Sequence, residues 1–319
     1  MTGMCSIHVA QGAAAGFIYS AAVSAAYGWG VAYLVIGCVA LVMIAVPASW
    51  LPDIDSSAQK ANLPGTTLNY ETCTIICSWS QILFWAGQAG AAGGLQGLQV
   101  FLPNIAVLMG FWEDEVTAAA SFGAGIVIGA LVGGPAIAII AERFTSGVGR
   151  DDETKTLLVL TGSTTFAAIL CSSIMDVALL QRLTLLGDVT IPFVGALLLG
   201  TLGLQTRLPL LLVPTVGLQP LSLLLSNLAA SVGSTSGPLL AGAIKDCLAP
   251  LCSTAADGTV DPRCFTSRPN QWGLVNVVIV VQVLTLLAGI FWTITGLIPT
   301  GATCMKRKGN YPIGGVGLL

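Results

Sequence analysis

The side chains best placed to do chemistry in this chain are amides. In the apolar run 74–108, Gln81, Gln88 and Gln99 fall within about 20° of one direction on a helix, with Trp85 about 40° away. A neutral amide donates and accepts hydrogen bonds. Such a row suits a cavity wall for a polar or amphipathic solute, or hydrogen bonding to a neighbouring helix. Asn227 in the run 214–243 and Asn276 in the run 273–300 are further candidates, with Gln219, Ser222, Ser226 and Gln282 beside them. Catalytic chemistry has less support. His8, the only histidine, sits beside the first apolar run, so a Ser-His-Asp triad or a His-bearing metal site would have to use it. There is no HExxH, no Cys-rich metal spacing and no P-loop. Asp176, Arg182, Asp188 and Arg207 fall near run ends, leaving no clear pair of carboxylates inside a run for acid–base work. The reading is therefore of no enzyme, no catalytic residue, no metal and no cofactor.

The elements that must position these amides are membrane helices. Of 319 residues, 55% are hydrophobic and 8% charged, against about 25% charged in an ordinary soluble domain. Mean hydropathy is +0.86. A net charge of −3 argues against a nucleic-acid partner. Eight runs reach the roughly 20 apolar residues that a spanning helix needs, at 9–28, 31–51, 74–108, 116–141, 156–180, 188–212, 214–243 and 273–300. Backbone in lipid satisfies its own hydrogen bonds, so all eight are expected to be helices. The first run lacks the basic flank of a signal peptide and is expected to stay as a span. The run 74–108 is long for one straight span, and Gly90, Gly93, Gly94 and Gly97 predict a break or kink in it.

Lys and Arg set the orientation. One side holds Lys60, Arg143, Arg150, Lys155, Arg207, Lys306, Arg307 and Lys308, eight in all; the other holds Arg182, Lys245, Arg263 and Arg268, four in all. Both termini are expected to be cytoplasmic. The far-side loop 245–272 carries Cys247, Cys252 and Cys264, which predict one disulfide and one spare thiol, with the pairing open. Gly125-x-x-x-Gly129-x-x-x-Gly133 and Gly12-x-x-x-Gly16 are small-residue stripes that let helix backbones approach closely.

Three stretches resemble the major facilitator superfamily. Gly12 to Tyr27-Gly28-Trp29-Gly30-Val31-Ala32-Tyr33 looks like its fifth helix and the following turn. Gly133-Gly134-Pro135 to Ala141-Glu142-Arg143-Phe144 is similar to the second copy of its cytoplasmic Gly-x-Leu-Ala-Asp-Arg motif, with Ala138 where Gly is common and Glu142 for Asp. Thr235-Ser236-Gly237-Pro238 to Lys245-Asp246 looks like its eleventh helix. Among subfamilies the chain most resembles the Spinster-like lipid carriers.

The resemblance implies an all-α membrane protein whose eight transmembrane helices correspond to the C-terminal two-thirds of a twelve-helix major facilitator fold. Residues 1–51 would be the last two helices of the N-terminal half, 52–73 the cytoplasmic loop between halves, 74–300 the six-helix C-terminal half, and 301–319 a cytoplasmic tail. The first four helices, which in Spinster-like carriers hold the residues tied to proton coupling, have no counterpart here. The implied function is secondary transmembrane transport of a small amphipathic or lipid-like solute by alternating access between halves. The candidate substrate-binding residues are Gln81, Trp85, Gln88, Gln99, Asn227 and Asn276; Gly133, Gly134, Glu142 and Arg143 form the conformational motif. The expected partners are membrane lipid, the solute and a partner chain supplying the missing helices, in a plasma or endolysosomal/vacuolar membrane. The competing reading is a non-transporting membrane protein, a relic or a partner-binding subunit.

Overall fold

The structure, a computed structural model, describes residues 78–213, 218–252 and 261–298, together with Val31, Leu34, Val35, Cys38 and Val39. Among the described residues the regular structure is entirely helical. The helices are α1 (Trp79–Leu108), α2 (Glu115–Thr145), α3 (Arg150–Gln181), α4 (Thr184–Gly200), α5 (Leu202–Leu212), α6 (Gln219–Leu248) and α7 (Arg268–Leu297). Five spans are long and apolar enough to cross a membrane: α1, α2, α3, α4 with α5 as one 28-residue span, and α7. That is the make-up of a multi-pass integral membrane protein. The expected runs 9–28 and 31–51, the loop 52–73 and the tail 301–319 lie outside the described residues, except for five helical positions within 31–51.

Local chemistry sets the helix ends. Asp114 caps α2 by accepting from the Thr117 backbone N–H at 2.7 Å and the Thr117 hydroxyl at 2.8 Å. Asp151, Asp152 and Glu153 fill the first turn of α3, and Arg143 the last turn of α2, each sign matching the helix dipole. α1 ends on Gly110 (φ 70°), whose N–H bonds to the Val107 carbonyl while that of Phe111 reaches Ala106. This Schellman turn needs a left-handed residue, which glycine supplies without a Cβ clash. The same turn ends α3, with Arg182 (φ 55°) in the left-handed place.

Two expectations change. α1 is continuous from Trp79 to Leu108 rather than broken at its glycines, because those glycines are helix-crossing points. The interruption falls instead in the run 188–212, at Thr201 between α4 and α5. The run 214–243 corresponds to α6, which has spanning length but is not among the five most apolar spans. Ser222, Ser226, Asn227, Ser231, Ser234, Thr235 and Ser236 account for its polarity.

Chain neighbours are not the main packing partners. α1 packs along α6 and α7, α2 along α4, and α3 along α7 and α4. Glycine makes the close crossings. A Cβ on Gly93 of α1 would lie 2.9 Å from the Gly233 carbonyl oxygen of α6 and 3.6 Å from the Gly237 Cα. A Cβ on Gly195 of α4 would lie 3.5 Å from the Ile126 Cα of α2 and 3.6 Å from the Gly125 carbonyl oxygen. Only small residues allow backbones this near each other.

At one end Arg150 donates to the Leu210 and Val213 carbonyls, each at 2.9 Å, and Gln219 donates to Leu210 at 3.0 Å. These bonds satisfy carbonyls at the end of α5 that have no partner within the helix. Glu153 and Arg207 form an ion pair between α3 and α5. Beyond α6, Cys252 and Cys264 form a disulfide with Cα atoms 5.0 Å apart, and Cys247 is the free, exposed thiol. Among the described residues the Lys/Arg balance is even: Arg143, Arg150, Lys155 and Arg207 against Arg182, Lys245, Arg263 and Arg268. The expected asymmetry therefore rests on Lys60, Lys306, Arg307 and Lys308, outside the described residues.

Candidate functional site

The first three turns of α1 gather polar atoms that none of the described residues satisfies. Gln81 is 1% exposed and Gln88 5%. The Nε2 atoms of both, and Nε1 of Trp85 between them, are buried and have no hydrogen-bond partner among the described residues. On the far side of the Gln81 amide, the Ser222 hydroxyl of α6 reaches Oε1 at 3.5 Å and donates to the Pro209 carbonyl at 3.0 Å. An unsatisfied buried donor costs about 1–3 kcal/mol. Three within about 10 Å of helix form a concentrated cost that an acceptor-bearing occupant would relieve.

The neighbouring indole of Trp292, by contrast, is satisfied. Trp292 of α7 is fully buried and donates its indole N–H to the Phe84 carbonyl at 3.3 Å. Its ring lies over Gly87, where a Cβ would fall 2.5 Å from Nε1. Gln99 is buried as well, about 16 Å further along α1 than Gln88.

A separate, partly open cavity of about 50 Å³ lies among α1, α2, α3, α4 and α7. Its walls are mostly aliphatic, including Leu98, Ile126 and Val194, with Ser172, Thr190 and Gln282 as polar points. Gln81, Gln88 and Gln99 do not line it. The cavity suits an apolar group, whereas the α1 row offers hydrogen-bond donors.

Gln282, at the middle of α7, donates to Asp176 Oδ1 at 3.1 Å and to the Ser172 carbonyl at 3.4 Å. Asp176 is 9% exposed. The sequence places it near a run end, but α7 extends past that point and covers it. The usable signal was that it is the one charged residue within 156–180.

The remaining candidates are not brought to the α1 row. Asn227 and Asn276 are exposed, on faces more than about 100° from the buried Ser222 of α6 and Gln282 of α7. Asn227 instead begins a stripe of exposed polar residues with Ser231 and Thr235, four residues apart. The Ser231 hydroxyl donates to the Asn227 carbonyl at 2.9 Å, and that of Thr235 to the Ser231 carbonyl at 3.0 Å. In α2, Gly133 and Gly134 are buried, Gly133 against Ala196 of α4, while Glu142 and Arg143 are exposed in the final turn. No protein-family model matches this sequence, and no curated protein matches it either.

Proposed function

We propose that this chain is a secondary carrier of major facilitator type, moving a small amphipathic or lipid-like solute. The observation that carries the reading is a symmetry in the packing. Count α6 as a span beside the five most apolar ones, and divide the six into α1–α2–α3 and α4/α5–α6–α7. The first helix of each unit packs along the second helix of the other, α1 on α6 and α4 on α2. The two third helices, α3 and α7, pack on each other, and each also packs on the first helix of the other unit. A three-span unit ends on the side opposite to where it began, so the second runs inverted relative to the first. Inverted three-helix repeats nested within a six-helix half are the architecture of major facilitator carriers.

Further observations support it. The second helices share a spacing, Gly129-x-x-x-Gly133-Gly134-Pro135 in α2 and Gly233-x-x-x-Gly237-Pro238 in α6, and these glycines make the counterpart crossings. The exposed Asn227 is poorly suited to lipid, where amides are costly, and with Ser231 and Thr235 it forms a polar stripe that suits a solute path. In this reading Gln81, Trp85 and Gln88 donate to oxygens on the solute's polar end.

The test is uptake of a radiolabelled single-chain phospholipid into proteoliposomes. Gln88→Leu removes one donor without adding charge and is expected to lower uptake at least tenfold at equal reconstitution. That is about 1.4 kcal/mol, within the range for one lost hydrogen bond. Undiminished uptake would remove Gln88 from the site, and no uptake by the parent protein would reject the solute class.

A further inference from the structure

We propose that Asp176 and Gln282 form a proton-binding site at the edge of the cavity. The carrier role of that proton rests on the function proposed above; its binding does not. Asp176 lies six residues before Arg182, about 9 Å along α3, and its partner Gln282 is the fifteenth of the thirty residues of α7. Ser172 and Met175, one turn before Asp176 and adjacent to it, line the cavity together with Gln282. The carboxyl therefore stands just behind the wall of the cavity, hydrogen-bonded to its lining residue Gln282, between two membrane spans.

Among the described residues no cation pairs with it. The only ion pair among the described residues is Glu153–Arg207, at the other end of α3. On the helices packed against α3, the charged residues lie elsewhere. α7 carries Arg268 alone, fourteen residues from Gln282. α4 carries Asp188, which is exposed, and α5 carries Arg207. α2 carries Glu115 at its first residue, and Glu142 and Arg143 at its last turn. On α3 itself Arg150, Asp151, Asp152, Glu153 and Lys155 are more than twenty residues away, and Arg182 is exposed in the turn.

An ionisable side chain inside the membrane without a counter-charge is a functional feature by default. The proton is the ligand these groups fit. A single carboxylate and one amide are too few ligands to strip a metal ion of its water, whereas a proton needs one oxygen. Ionised, the carboxylate accepts from Gln282 Nε2, as observed. On protonation one O–H bond forms at a carboxyl oxygen, the proton being taken from hydronium. The neutral acid then becomes a donor, and the Gln282 amide, which offers both N–H and C=O, turns its oxygen to accept. No other reactant is required, and release to water reverses the step. The exchange reorients a side chain in the cavity wall, which links proton uptake to the shape of the cavity.

The experiment is infrared difference spectroscopy on the purified full chain in lipid, between roughly pH 8 and pH 5. A protonated carboxyl has a C=O stretch that a carboxylate lacks. The expected result is a carboxyl band that appears as the pH falls, is lost in Asp176→Asn and persists in Glu142→Gln. In Gln282→Leu the band is expected to move in frequency, because the hydrogen bond to the carboxyl is gone. A parent spectrum with no pH-dependent carboxyl band, or one that Asp176→Asn and Gln282→Leu leave unchanged, would overturn the proposal. The readout requires no solute and no transport, so it is independent of the carrier reading.

Discussion

Asp114 shows how one side chain fixes a helix end in this protein. Its carboxylate accepts two hydrogen bonds from Thr117, and the bond from the backbone N–H is the main cause of a pKa held below the usual value of 3.8. A group whose pKa is lower folded than unfolded stabilises the fold above its unfolded pKa. That contribution is lost as the pH falls through the folded value. Asp114→Asn is expected to keep a cap, since the amide oxygen still accepts, while losing this acid sensitivity. Thermal denaturation in detergent between neutral pH and about pH 3 checks it. An equally steep loss of stability in both proteins would contradict the assignment. Individual side chains were unevenly legible in the sequence. Helical spacing alone put Gln81, Trp85 and Gln88 on one face, and all three carry buried donors without a partner. The burial of Asp176 was not legible, because it depends on how far α7 extends past the end of α3, a tertiary property.

At the scale of elements, glycine spacing carries much of the packing. Gly93, Gly233 and Gly237 meet at the α1–α6 crossing, and Gly125, Gly129 and Gly133 meet α4. Gly237→Leu is expected to destabilise the protein by about 1–3 kcal/mol or more, since the new side chain must displace backbone of α1. Gly242→Ala is a contrast on the same helix. Its new methyl meets only the tip of the Phe101 ring, at 3.3 Å, and a helix-interior Gly→Ala change favours folding by about 0.5–1 kcal/mol. Equal losses of thermal stability in the two variants would refute the crossing as the cause. The positions of the apolar runs were legible, since the hydropathy of a span is local: 116–141 and 156–180 each fall within one helix, and 273–300 follows α7 to its end at Leu297. The role of the α1 glycines was not, because a run of glycines reads equally as a hinge or as a contact. What decides is the glycine facing it on another helix. The loop pairing was likewise open until the turn beyond α6 brought Cys252 and Cys264 together.

At the scale of the molecule, the proposed carrier role rests on the pairing of α1, α2 and α3 with α6, α4 and α7 and on the exposed polar stripe of α6. Sequence alone could not supply the packing symmetry, since the partners α1–α6 and α2–α4 are not chain neighbours. Nor could it distinguish the stripe Asn227, Ser231 and Thr235 from the buried serines of the same helix. That stripe gives the most direct test of the carrier reading. Each position is changed to cysteine in turn, the protein is reconstituted in liposomes, and a membrane-impermeant thiol reagent is applied from either side. Labelling is read at each residue by mass spectrometry, which separates it from native thiols such as Cys247. Ile139→Cys, on an exposed apolar position of α2, serves as the lipid-facing control. A carrier with alternating access predicts labelling of the stripe from both sides and none at the control. A stripe as unreactive as Ile139→Cys from both sides would contradict the account.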